Sequence, residues 1–137
     1  MRIARTLLLL SLACLLMADE ASEKAAQSAA EPWLGLVDAA KYGDSWEQAS
    51  TMFKGAVTKD QWAQQVGPVR EQTGKLQSRK LKSSEYMEDP PNSPPGKYVV
   101  LQYDSTFASG AFVETVFMMK EKDGGWKVAG YFVKPPQ

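Results

Sequence analysis

The stretch KYVVLQYDSTFASGAFVETVFMMKEKDGGWKVAGYFVK, residues 97–134, decides the fold. Apolar and polar residues alternate along it with a period of two, and it is rich in the β-branched and aromatic types that suit a pleated surface. Ser109-Gly110 and Asp123-Gly124 interrupt the alternation, each with a glycine for a tight hairpin turn. The stretch therefore predicts three strands, 97–108, 111–122 and 126–134. Just before it, Asp89-Pro-Pro-Asn-Ser-Pro-Pro-Gly96 suits neither helix nor central strand and reads as a stiff surface loop. Residues 75–87 alternate more weakly and carry Arg79, Lys80 and Lys82, the mark of an edge strand whose charges discourage pairing with another sheet.

Upstream of Gly74 the apolar period is helical. Ser28-Ala-Ala-Glu31 has capping-box spacing with Pro32 just inside it, and predicts a helix from about Ala29 with Trp33, Leu36, Val37 and Ala40 as its buried stripe. Tyr42-Gly43 closes it. Asp44 or Ser45 then caps a second helix carrying Trp46, Ala49 and Phe53. Thr58-Lys-Asp-Gln61 opens a third, with Trp62, Val66 and Val69 on one side and a kink or break expected at Gly67-Pro68. Helices over 29–73 followed by strands over 75–134 make an α+β domain, with N-terminal helices packed on one face of a four-stranded, curved antiparallel sheet.

The first 18 residues read as a signal peptide: Arg2 and Arg5, an apolar run to Met17, then Ala18 before acidic Asp19 and Glu20. About 12 apolar residues span only ~18 Å as a helix, short of a ~30 Å hydrocarbon core. Cleavage after Ala18 and export to the periplasm or medium are expected, and lipid attachment at Cys14 is the less favoured outcome. Residues 19–28, with nothing large to bury, read as a frayed leader, and residues 29–137 as one domain.

The chain has 137 residues, no histidine, and Cys14 as its one cysteine. Beyond the signal no thiolate or imidazole metal ligand remains, so disulfides and histidine-activated nucleophiles are excluded, and no zinc or haem site and no cofactor is expected. Lys and Arg number 16 against 16 Asp and Glu, or 14 against 16 once Arg2 and Arg5 leave with the signal. That balance recruits neither nucleic acid nor an anionic membrane.

If both turns are two-residue turns, Phe107 faces Phe112, Ser105 faces Glu114, Met119 faces Val128, Thr115 faces Phe132, and Lys120 faces Lys127. One sheet face then holds Tyr98, Val100, Val113, Phe117, Met119, Trp126, Val128 and Phe132 without Lys or Arg, and is assigned to the helices. The other holds Tyr103, Phe107, Phe112, Glu114, Val116, Met118 and Tyr131. It is too apolar to meet water alone, so these seven form a candidate patch for a homodimer or an envelope protein partner.

Trp33-Leu-Gly-Leu-Val-Asp38, Ser45-Trp46, Gln61-Trp62, Ser78-Arg79-Lys80-Leu81, Gly96-Lys-Tyr98 and Gly125-Trp126-Lys-Val128-Ala-Gly130-Tyr131 together resemble the small exported bacterial family catalogued only as domain of unknown function 4019. The resemblance runs from about Ala29 to Val133 and implies export with no assigned activity, so it transfers no site residues. The order of helices and sheet also resembles the nuclear-transport-factor-2-like (cystatin-like) superfold, which hosts isomerases and binding modules alike.

Among carboxylates near apolar surroundings, Asp38 and Asp44 suit helix capping and Asp104 a polar strand position, with Tyr98, Tyr103 and Tyr131 as available proton partners. Glu114 stands apart, mid-strand between Phe112 and Val116. It is either a functional carboxylate or the anion of a salt bridge to Lys134, Arg79 or Arg70. Trp33, Trp46 and Trp62 read as core, and the Arg79, Lys80, Lys82 group as edge protection or a strip for an anionic partner. The expected function is a non-catalytic exported module that binds a partner protein or a small apolar ligand. A small isomerase or hydrolase using a carboxylate is the alternative.

Overall fold

In a computed structural model the backbone is described over residues 2–137 and side chains from residue 13 onward. The side chains of the charged start and of most of the expected signal lie outside the described residues. The order is α1 (Arg2–Asp38), α2 (Tyr42–Glu47), α3 (Thr51–Ala56), α4 (Lys59–Thr73), β1 (Leu76–Glu88), β2 (Lys97–Phe107), β3 (Gly110–Lys120) and β4 (Trp126–Lys134). The strands form one antiparallel sheet in the order β1-β2-β3-β4, so β1 and β4 are the edges. The α+β class stands. Among the described residues no helix is long and apolar enough to cross a membrane.

The helices depart from the sequence reading at their ends. Residues 19–28 are helical rather than frayed: Ala26 and Ala30 are fully buried, and Glu23 accepts hydrogen bonds from the Ser84 hydroxyl (3.1 Å) and the Tyr86 backbone N–H (3.3 Å) on β1. Small alanines suit that close approach, so α1 runs straight through the Ser28–Glu31 box and Pro32. Its buried stripe is Ala26, Ala30, Trp33, Leu34 and Val37, not Leu36 and Ala40. Ala40, at φ 58°, ends it. Tyr42-Gly43 starts α2 instead of closing α1, and Ser50 caps a separate α3 through its hydroxyl and the Phe53 N–H (3.1 Å). The Thr58–Gln61 capping box forms as expected (3.1 and 2.9 Å). Its helix continues through Pro68 and buries Trp62, Val66, Arg70 and Thr73, leaving Val69 exposed.

The hairpins differ too. Phe107 pairs with Gly110, so the first turn is Ala108-Ser109, and Tyr103 rather than Ser105 faces Glu114 while Ser105 faces Phe112. The turn is held against the end of α4 by Ala108 N–H to Lys75 O (2.8 Å) and Ser109 N–H to Thr73 O (3.0 Å). The second connection, residues 121–125, is closed by Glu121 N–H to Gly125 O (2.7 Å). Lys120 consequently faces Trp126, not Lys127, and a bulge at Ala129 sets Met118, not Met119, against Val128; Thr115 faces Phe132 as expected.

These shifts accompany an inversion of the faces. The helices lie on the face holding Val99, Leu101, Tyr103, Val116, Met118 and Tyr131, all buried, and not on the face of Val100, Phe117 and Phe132. The candidate docking patch is therefore a correction: Tyr103, Phe107, Glu114, Val116, Met118 and Tyr131 are all buried, and Phe112, half-buried, stacks on Phe107 (5.9 Å). Glu114 kept that face from being assigned to the helices, but its carboxylate is paired with Arg79 inside. The outer face is covered in part by the 89–96 loop, which Asp89 and Gly96 close on themselves and which Tyr98 holds through its hydroxyl to Pro94 O (2.8 Å).

Candidate functional site

Glu114 lies on β3 beneath α1 and α4 and has no solvent exposure. A carboxylate taken from water into such a place is costly unless opposite charge and hydrogen bonds replace its hydration. Both are supplied. Oε1 accepts from Arg79 Nε (2.8 Å) and Ser105 Oγ (2.5 Å), while Oε2 accepts from Arg79 Nη2 (3.0 Å) and the Tyr131 hydroxyl. Arg79 comes from β1, where it faces Ser105 across the ladder. The geometry is the two-pronged fork that suits a guanidinium on a carboxylate.

The same guanidinium reaches outward to the last residue of α1. Arg79 Nη1 donates to Asp38 Oδ2 (2.8 Å) and Nη2 to Asp38 Oδ1 (2.9 Å), and Arg70 Nη2 of α4 donates to Asp38 Oδ1 (2.8 Å). Two cations and two anions thus join α1, α4, β1 and β3 in one network. Burial pushes the Asp38 carboxyl up, but the bonds and charges of Arg79 and Arg70 outweigh it and hold the group below its ordinary range. Burial, the Glu114 charge and its hydrogen bond together push the Tyr131 phenol well up, so it stays a proton donor. Burial chiefly pushes Tyr103 up to about 12. Arg70 Nε and Nη1 and the Tyr103 hydroxyl are buried without a partner among the described residues, and the Arg70 guanidinium lies over the Phe107 ring at 4.9 Å.

Of the sequence candidates, Glu114, Tyr131, Tyr103 and Asp38 converge, whereas Asp44 sits in the first turn of α2 and Asp104 is exposed opposite Lys80. Tyr98 is on the other face. Asp38, expected to cap a turn, is an ion-pair partner. Among the basic group, Arg79 turns inward while Lys80 and Lys82 are exposed. Ser105, read only as a register partner of Glu114, and Ser45, read only as a helix cap, were not among the site candidates. Ser45 is a buried hub: its carbonyl accepts from Trp33 Nε1 (2.8 Å), its hydroxyl accepts from Trp62 Nε1 (3.0 Å) and donates to Tyr42 O (2.7 Å). Trp46 donates to Val57 O (2.8 Å), so all three indole N–H groups are satisfied internally.

On the outer face a groove of roughly 300 Å³ lies between the proline loop and β4. Met52, Met87, Tyr98, Phe117 and Phe132 form its walls, with Pro90 and Ser93 of the loop at its rim. Phe117 and Phe132 meet edge to face at 5.7 Å. Among the described residues no charged side chain lines the groove, and no group of three or more Asp, Glu or Cys is placed to hold a metal ion.

An α+β domain with a closed ion-pair core and an open apolar groove is the class these features define. The chain matches the family described as "Protein of unknown function (DUF4019)" over residues 29–131, and it belongs to that family. No curated protein and no solved structure matched it.

Proposed function

We propose that this protein is an exported, non-catalytic binding module of the bacterial envelope or medium, which takes a small apolar group into the outer-face groove. The observation that carries the reading is the contrast between its two polar and apolar sites. Glu114, the carboxylate with the most unusual setting, has no exposure and gives both oxygens to Arg79, Ser105 and Tyr131. A general base must reach the proton it removes, and this one reaches neither water nor substrate. That setting counts against Glu114 as the base of a carboxylate-dependent isomerase or hydrolase. The groove, in contrast, is open, uncharged and walled by aromatic rings and two adaptable methionines, the lining that small-molecule sites favour. The signal reading of residues 1–18 and the resemblance to the nuclear-transport-factor-2-like superfold, where binding modules occur, support the same view. Titration with N-phenyl-1-naphthylamine, a neutral apolar fluorophore, tests it. Saturable binding that weakens about tenfold in Phe117→Ala, a loss of ~1.4 kcal/mol, and persists in Glu114→Gln is expected. Absence of saturable binding would sink the groove reading.

A further inference from the structure

The two outer edges of the sheet are finished differently. On β1 the strand is bulged twice, carries Lys80 and Lys82, and has Glu23 bound to the Tyr86 N–H. These are the devices that keep an edge from pairing. On β4 a single outward backbone group is engaged among the described residues, the Val128 carbonyl, by Ser50 N–H (2.8 Å). The extra residue Ala129 reverses the alternation beyond it, so the backbone N–H and C=O groups of Tyr131 and Val133 face away from β3. None has a backbone partner among the described residues. They border a slot of about 260 Å³ between α4 and β4, walled by Trp62, Gln65, Val66 and Val69. Among the described residues the slot has no charged lining. Val69 and Phe132, 38% and 51% exposed, are the large exposed apolar residues of the domain beyond Met17, and both border it.

We infer that the slot takes a second copy of the chain, with β4 pairing antiparallel to its counterpart about a twofold axis at Phe132. An edge with bare donors and acceptors accepts only an extended segment, and an uncharged slot only an uncharged one. Residues 130–133, Gly-Tyr-Phe-Val, form such a segment with a bare edge of its own. The charges select the direction. β4 carries Lys127 and Lys134 near its ends and none between. Antiparallel pairing sets Lys134 beside the partner's Gly130, whereas parallel pairing stacks lysine on lysine. Tyr131 then exchanges backbone hydrogen bonds with the partner's Val133. Phe132 meets the partner's Phe132 below the sheet, and Val69 approaches the partner's Val69 above it. Each exposed apolar residue is buried by its own twin, as an isologous contact requires. Phe132 borders both the groove and the slot, but the inference does not rest on the groove reading, since Val69 and the slot's other α4 residues are no part of the groove.

Sedimentation velocity of the protein as purified from expressing cells, from roughly 1 to 100 µM, tests the pairing alongside Val69→Glu and Phe132→Glu, with circular dichroism as the check on folding. A dimer with a dissociation constant on the order of 10 µM is expected, weakened at least tenfold by either variant. Should a variant unfold, amide exchange on the unaltered chain decides instead: the Tyr131 and Val133 amides must slow as concentration rises. A chain that is monomeric at about 100 µM, or a dimer that neither folded variant weakens, overturns the inference. So do slot amides that slow only when a foreign extended peptide is added, an outcome that gives the slot to that partner. Fluorophore binding that survives Val69→Glu keeps the two readings separable.

Discussion

Glu114 has no solvent exposure and is ion-paired to Arg79, and that setting makes Arg79 the side chain on which the interior depends. Arg79→Met leaves that charge buried and unbalanced, and urea unfolding should report a loss of about 3–5 kcal/mol. The double variant Arg79→Met with Glu114→Met should recover part of it, because removing both charges also removes the need to desolvate them. No recovery would mean that the pair itself, not the orphaned charge, dominates. Trp62 packs edge-on against Phe53 (5.0 Å) and Tyr131 (6.4 Å) and bonds Ser45, so Trp62→Ala should cost roughly 3–5 kcal/mol. A loss under about 1 kcal/mol would take the ring out of the core. That Glu114 was unusual is readable from its apolar neighbours alone. Which cation meets it is not, since Lys134, Arg79 and Arg70 were equally eligible until the β1–β2 register set Arg79 across from Ser105.

Asp38 ties the end of α1 to β1 and α4, and it makes that junction sensitive to acid. Its folded pKa lies below the ordinary 3.8, so on acidification the unfolded chain takes up the proton first. The stabilisation is full above the unfolded value and is lost as the pH falls through the lower, folded one. Urea midpoints measured on a pH series should show Asp38→Asn destabilising at neutral pH, with the gap to the unaltered chain closing below the ordinary carboxylate range. A gap that stays constant would remove Asp38 as the titrating group. At the start of α4, Thr58→Ala should lose the capping box and about 1 kcal/mol. This box was legible because a cap is a contact among residues three apart. The similar Ser28–Glu31 spacing is not used as a helix start, because Ala26, Ala30 and Glu23 find β1 beside them and carry the helix through.

For the whole molecule, folding without a metal is expected, so EDTA should leave the melting temperature unchanged; a fall of more than a few degrees would reveal a bound ion. The local periods in the sequence establish the α+β class, the four strands with their antiparallel order, the proline loop between the first two and the absence of imidazole and thiol chemistry beyond Cys14. These follow from patterns within a dozen residues, where spacing alone decides helix, strand or turn. Which face of the sheet the helices cover was decided only in three dimensions. Both faces are apolar enough to be buried, and the rule that the charge-free face goes inside failed because β1 and the end of α1 bring Arg79 and Asp38, 41 positions apart in the chain, to Glu114. The same holds for the turns: Ser109-Gly110 and Ala108-Ser109 differ by one residue locally, and bonds to Lys75 and Thr73 accompany the second. Local spacing reports what a segment can form, and long-range pairing of charge and backbone selects among the forms it allows.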